Sequence, residues 1–471
     1  MTTHEATPSR DPATASEGAP LAFWGGTLGA LAPFALLLAG VITLGIAGAP
    51  DERGFWPLLV AALGLGAALA RDRKAWSEAT LGGMSRPIVM LMVLAWLLAG
   101  VMASVLGASG LVGALVAVAR SVGFSGGGFA AAAFAVAAFV STATGTSLGT
   151  LILCAPLLYP AGVALGAMPS VLAGAILGGA TFGDNISPVS DTTIASATTQ
   201  DAAMGAVVRS RLRYALPAAA AALVATALLG GGGTATAPAT AAHGSALLML
   251  LAPVLVIALL VRGGLLVPTL LAGSLVSAAL AVALGRVSPH QLFHLERASY
   301  TAQGLLLDGL ERGVGVSIFT LLLMGLAGGL ERSGVLERAV AAAERRAASA
   351  RDAEAWIVVL VSLAVLATTH AVVAILLAGP FARDMGARHN LAATRRANLL
   401  DLTVCTWPFL LPWFIPTILM ASMTRGHSAD PTSTAPALGP WTIGLWNLHA
   451  WGLLAMVIAA VAFGWGRRKD R

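Results

Sequence analysis

The chain has 471 residues, of which 57% are hydrophobic and only 11% charged, with a mean hydropathy of +0.83. Soluble domains carry roughly 25% charged residues, so the composition excludes a soluble enzyme and fits an all-α polytopic membrane protein. The net charge of +6 comes mostly from arginines in short loops, where it reports on topology and gives no reason to expect a nucleic-acid partner.

In chain order, residues 1–22 are a polar, Pro/Ala/Thr-rich stretch without the basic start of a secretory signal, expected to be a disordered cytoplasmic tail. Apolar crossings follow at 28–48, 56–70 and 88–107, with Arg71, Arg73, Lys74 and Arg86 on the cytoplasmic side. Residues 128–160 form a re-entrant hairpin whose tip holds Thr142, Thr144, Gly145, Thr146, Ser147 and Gly149. The stretch 169–199 is longer than a straight crossing requires and contains TFGDNISPVSDTT. A crossing at 212–229 follows Arg209, Arg211 and Arg213, read as cytoplasmic loop charges. Residues 230–244 are an external linker.

The second half has crossings at 245–261, 265–284 and 313–330, with Asp308, Glu311, Arg312, Glu331 and Arg332 at interfaces. Arginine-rich loops at 331–352 and 383–396 both belong to the cytoplasm by charge. The apolar stretch between them, 355–381, must then enter and return, turning at Thr368, Thr369 and His370. The crossing 399–422 is interrupted near Cys405, Thr406, Trp407 and Pro408, with Pro412 beyond. A last crossing, 441–465, carries Asn447 and His449 on its lipid or helix-facing side, and 466–471 is a basic cytoplasmic tail.

Segments repeat at an offset of 224. Ser109-Gly110-Leu111 aligns with Ser333-Gly334-Val335, Thr144 with Thr368, Pro156 with Pro380 and Gly162 with Gly386. The halves, 23–229 and 245–465, thus each have five crossings and one hairpin, and they enter from opposite sides. Inverted repeats with interrupted helices at corresponding places are the plan of secondary transporters.

The motif at 181–193 bears the chemistry. Pro188 cannot donate to a helix ladder and disfavours helical geometry at Ser187, while Gly183 loosens the other side. A break over Gly183–Pro188 frees carbonyls beside Asp184 and Asn185, which makes a cation site. It also frees N–H groups near Ser187, Ser190, Asp191 and Thr192, which suit an anion or a cap. An acid at that depth marks a transport pathway, so Asp184 is the expected carrier of a transient Na+ or a proton. Tip hydroxyls and flexible backbone add oxygen ligands. His370, a proton carrier by type, and Asp401, placed in a cytoplasmic vestibule or paired with Arg395 or Arg396, are secondary coupling candidates. Cys154 and Cys405 both sit in apolar stretches and suggest neither a disulfide nor a metal site. No nucleotide loop or catalytic triad is present, so neither an enzyme nor a cofactor is expected.

These residues resemble the NhaC family of sodium/proton antiporters. Its GDxxSPxSDT signature is matched by Gly183, Asp184, Ser187, Pro188, Ser190, Asp191 and Thr192. Its TGSSW-like tip is matched by Thr144, Gly145 and Ser147, with Thr146 replacing serine, and a LIPW-like stretch by Leu411, Pro412 and Trp413. The resemblance implies exchange of Na+ or Li+ for H+ in the cell membrane by alternating access, and a homodimer formed through a scaffold. Some relatives exchange organic acids or amino acids instead. Leu148 stands where relatives have an aromatic, and Asn185 replaces a common lysine, which alters the charge of the cavity. A small-carboxylate or amino-acid carrier, its anion held near Ser190 and Thr369 with His370 or Trp407 as donor, is the alternative reading.

Overall fold

A computed structural model describes residues 20–47, 52–123, 126–233, 244–297, 300–425 and 435–467. Among the described residues the structure is helical apart from one short antiparallel hairpin and an isolated bridge between Phe23 and Ala70, and nine helical stretches are long and apolar enough to cross a bilayer.

The first half comprises α1 (Thr27–Ile46), α2 (Trp56–Leu69), α3 (Arg73–Met84), α4 (Pro87–Ala108), α5 (Leu111–Ser121), α6 (Gly126–Thr144), α7 (Ser147–Ala164), α8 (Pro169–Ile186), α9 (Asp191–Thr199) and α10 (Met204–Leu229). The second half comprises α11 (Leu251–Val261), α12 (Leu266–Ala283), α13 (Pro289–Leu292), β1 (His294–Glu296), β2 (Thr301–Gln303), α14 (Leu305–Glu331), α15 (Val335–Glu344) and α16 (Ala350–Thr368). It continues through α17 (Ala371–Arg388), α18 (Ala393–Val404), α19 (Trp407–Leu410), α20 (Ile415–Arg425), α21 (Pro440–Leu445) and α22 (Leu448–Phe463). Several starts follow local rules. Pro87 and Pro169 open α4 and α8, where a missing N–H costs nothing. Asp72 caps α3 by accepting from the N–H groups of Lys74 and Ala75, both at 2.9 Å.

Several sequence expectations need correction. The basic segment after Arg71 is not simply a loop but the helix α3, laid against α14. Residues 20–22 are not part of a loose tail: the Leu21 N–H donates to the Arg332 carbonyl at 2.7 Å and the Arg71 N–H to that of Ala22 at 2.9 Å. Residues 1–19 and 234–243, the rest of the expected tail and most of the linker, lie outside the described residues. The helix expected from 212 begins at Met204, which takes Arg211 into its interior face. Of the two surroundings left open for Asn447 and His449, the structure has the helix neighbour: both are buried, with the His449 ring edge-on to Phe134 and Phe182.

Small residues set the spacing of the helices around the site. A Cβ added at Gly179 of α8 would stand 2.2 Å from the Phe134 carbonyl of α6. At Gly183 it would lie 2.4 Å from both Ser141 Cβ and Thr142 N. The same device joins α4 to α14, where a Cβ at Gly100 would meet the Gly309 carbonyl at 2.0 Å. Gly179→Ala is therefore expected to destabilise the fold by about 1–3 kcal/mol through overpacking. Gly82→Ala, on open ground within α3, should stabilise by about 0.5–1 kcal/mol. Thermal melts of the two detergent-purified variants check the contrast.

One end of the bundle is held by a buried ionic knot. Arg395 donates to Glu354 at 3.0 Å, to the Tyr214 hydroxyl at 2.6 Å and to the carbonyls of Ala460 and Trp465 at 2.8 and 3.0 Å. Arg467, just beyond α22, donates to both Glu354 oxygens at 3.1 and 2.6 Å. The knot ties α10, α16, α18 and the segment after α22 together. Its hydrogen bond with Glu354 raises the pKa of the Arg467 guanidinium above an already high value. A raised pKa gives stability that is present below the ordinary value and lost only as pH climbs through the raised one. The Arg467 anchor should therefore hold unchanged from pH 6 to 9. Glu354→Gln leaves Arg395 without its buried partner and should cost about 3–5 kcal/mol, read as a lower melting temperature and faster hydrogen exchange after α22.

Candidate functional site

Helices α8 and α9 are one interrupted rod. The Ser187 N–H still bonds to the Gly183 carbonyl at 2.9 Å, so the helix continues through Gly183. The gap runs from Ser187 to Ser190 and includes Pro188. Gly183 is thus a close-approach residue under α6 and not the hinge expected from sequence. The second interrupted rod, α18 to α20, opens at Cys405 and Thr406 and again at 411–414, where Pro412 lies; Pro408 sits inside the short α19.

Two helical turns face these gaps. Between α6 and α7, Gly145 adopts a left-handed conformation at φ +71°, and a Cβ there would stand 2.7 Å from Val189 Cγ2 in the first gap. Between α16 and α17, Thr369 adopts φ +55°. A β-branched residue in that region is a strained outlier, such as collects at functional sites.

Both turns and both gaps line a cavity of about 290 Å³. Asp184 and Asp191 face it, with Thr146 and Ser147 from the first turn, Thr369 and His370 from the second, and Cys405 and Pro408 from the second gap. Asp184 accepts from Ser147 at 2.6 Å on one oxygen and from Ser190 at 2.6 Å on the other. Ser190 also lies 3.0 Å from the Thr192 hydroxyl. By position Ser190 is the N-cap of α9, yet its hydroxyl serves Asp184 and caps nothing. Ser187 donates instead to the Thr142 carbonyl at 2.8 Å, pinning the gap to the first turn. Asp191 is the first residue of α9, its carboxylate at the positive end of that helix.

Other expected ligands are spent locally. Thr144 donates to the Val140 carbonyl at 2.9 Å and Thr406 to that of Thr403 at 2.6 Å. The Thr146 hydroxyl caps α7 by accepting from Gly149 N–H at 3.2 Å. Thr368 and Thr369 bond within their own turn, Thr369 also reaching the Met324 sulfur at 3.4 Å. The Trp407 indole N–H goes to Ser362 at 2.9 Å, away from any cavity ligand. His370 keeps a buried Nδ1 without a hydrogen-bond partner.

Asp401 is the largest departure from the sequence reading. It lies in no vestibule and pairs with neither Arg395 nor Arg396. Arg395 belongs to the Glu354 knot, and Arg396 donates to Gln200 at 3.0 Å and to the Leu391 carbonyl at 2.6 Å. Asp401 is fully buried and pairs with Arg211 at 2.9 Å, also fully buried. It further accepts from Asn185 at 3.0 Å and Ser196 at 3.1 Å. Arg211 donates in addition to Asn398 at 3.0 Å, to Thr193 at 2.7 Å and to the Asn185 carbonyl. Sequence reasoning missed Arg211 because three nearby arginines read as one loop. The helical period was the available signal: Arg209 and Arg213 share a face, and Arg211 points the opposite way.

A profile of the Na+/H+ antiporter family matches residues 59–231 and 227–443. The chain belongs to that family. It is also similar to the malate-2H(+)/Na(+)-lactate antiporter of Bacillus subtilis (strain 168), 40% identical over 79 residues, so that the matched stretch covers 17% of each chain. Both are transporters and not enzymes. For this family member the hydroxyls at the site should be unequal. Ser190→Ala removes a hydrogen bond to a charged group, worth about 1.5–3 kcal/mol, and should slow exchange at limiting ion concentration tenfold or more. Thr144→Val removes only a local back-bond and should stay within about twofold, by the same assay in reconstituted vesicles.

Proposed function

We propose that this protein is a secondary active antiporter that exchanges Na+ or Li+ for H+ across the cytoplasmic membrane by alternating access, with Asp184 as the shared carrier. The observation that carries this reading is the pairing of Asp184. It is buried at a helix gap, faces a cavity, and is held by two neutral serine hydroxyls, and among the described residues no ion pair reaches it. A carboxylate so placed binds either a proton or a cation and couples the two fluxes by competition. Ser147, Ser190 and Thr192 supply neighbouring oxygens of the kind hard cations prefer, and Asp191 adds negative charge at the cavity wall.

The architecture that fits this cycle is two inverted repeats, each with a re-entrant hairpin, both termini in the cytoplasm and two copies paired through α1–α4 and α11–α14. Three features support the first hairpin and the repeat. The mouth of the α6/α7 pair is closed by a bond from the Gly126 N–H to the Leu165 carbonyl at 3.1 Å, so the pair enters and leaves together. Its turn lies level with the first gap, short of the end of α9 by about 13 Å at the helical rise. At the 224-residue offset, Gly110 and Gly334 are both left-handed, after serines that donate to carbonyls three residues back, Ser109 to Leu106 and Ser333 to Leu330.

A second reading is a carrier of a small carboxylate coupled to these ions. It is favoured by His370 on the cavity wall, whose buried Nδ1 has no hydrogen-bond partner, and by the N-termini of α9 and α17 on that wall. The lactate and malate in the relative's name agree with it. Proteoliposomes with a preset proton gradient separate the two. Sodium alone should dissipate the gradient for wild type and His370→Gln, and should fail to do so for Asp184→Asn at near-normal expression. A gradient that collapses only after lactate or malate is added supports the second reading, and undiminished exchange by Asp184→Asn removes Asp184 as carrier.

A further inference from the structure

Arg211 stands among oxygens that resemble a cation site. Its NH1 nitrogen is surrounded by a carboxylate oxygen of Asp401 at 2.9 Å, the Thr193 hydroxyl at 2.7 Å and the main-chain carbonyl of Asn185. NH2 lies 3.4 Å from the Ser196 hydroxyl, which itself donates to Asp401 at 3.1 Å. One carboxylate, one carbonyl released at a helix gap and two hydroxyls are the donors that unwound transporter helices offer to Na+. The carbonyl is a deciding member. Asn185 lies in the last turn of α8, and its carbonyl has no helical acceptor role left once α8 stops at Ile186. A bare gap would present it to an ion; here a guanidinium takes it.

The two acidic centres of the gap are therefore unlike. Asp184 is met by neutral hydroxyls and faces the cavity. Asp401 is met by a full positive charge, fixed from outside the gap by α10 and braced through Asn398. We propose that Arg211 is a resident cation filling a second, latent site for a hard monovalent cation at Asp401, so that this carboxylate takes no Na+ during transport. Exchange then runs at the Asp184 side alone, and the protein carries one cation fewer per cycle than its buried acids would otherwise hold. This deepens the antiport reading but needs only binding for its test.

Removing the guanidinium while keeping a polar side chain opens the site. Equilibrium binding of radioactive sodium to purified protein should show one more ion per chain in Arg211→Gln than in wild type. The Arg211→Gln/Asp401→Asn protein should return to the wild-type number. Sodium chloride, and not choline chloride, should raise the melting temperature of Arg211→Gln. If wild type binds no sodium at all, the antiport reading is in trouble, yet the variant should still gain its one ion. A folded Arg211→Gln protein with an unchanged sodium number overturns the proposal. Should Arg211→Gln not fold, the double variant decides. A folded double variant, together with sodium-specific recovery of the single one, supports charge compensation. Failure of the double variant, or of the single one in sodium as much as in choline, makes Arg211 a strut and overturns it.

Discussion

An interrupted helix inside hydrocarbon leaves backbone groups that no lipid can satisfy, and the answers given to those groups organise the rest of this protein. At the first gap, the hydroxyl of Ser187 reaches the first turn, that of Ser190 goes to Asp184, and the Asn185 carbonyl is taken by Arg211. The first recruits α6 and the third α10, while the Asn185 side chain adds α18 by donating to Asp401 at 3.0 Å. The gap is consequently bound to α6, α10 and α18 at once, and it cannot shift without carrying them along.

The same constraint explains why the two acids differ. A lone buried charge costs several kcal/mol, so it must be paired, solvated or neutralised. Asp401 has the paired solution, in a network that includes Arg211, Asn185 and Ser196. Asp184 has two hydroxyl donors and an open cavity, which leaves its charge to be balanced by something mobile. The contrast is between a closed electrostatic site and an open one, a few side chains apart.

The two turns are not equivalent either. Gly145 takes its left-handed conformation without strain and lies close against Val189, so the first turn packs directly on the first gap. Thr369 adopts a similar conformation against its own side-chain preference, beside a histidine whose Nδ1 is unpaired. Strain and an unsatisfied nitrogen gather on the second turn, while charge gathers at the first gap. The cavity lies between an acidic wall and a strained one.

The amino-acid sequence by itself determined the membrane class, the order and approximate limits of the long helices, and the two interrupted rods. Apolar run length, arginine-rich loops and Pro188, Pro408 and Pro412 act locally, and local rules need no knowledge of the fold. It also pointed to Asp184, since a carboxylate and a proline between apolar helices have few bland explanations. Partner choice was decided only by the tertiary structure. Asp401 lies a few residues from two arginines in sequence, and its charge is met by a third, on α10, 190 positions earlier. Gly183 reads as a hinge until α6 is laid against it, and Thr144 reads as a ligand until its hydroxyl turns back to Val140. Hydrogen bonds and ion pairs depend on distances of a few ångströms between helices, and helix-to-helix distance is fixed by packing that no single segment encodes.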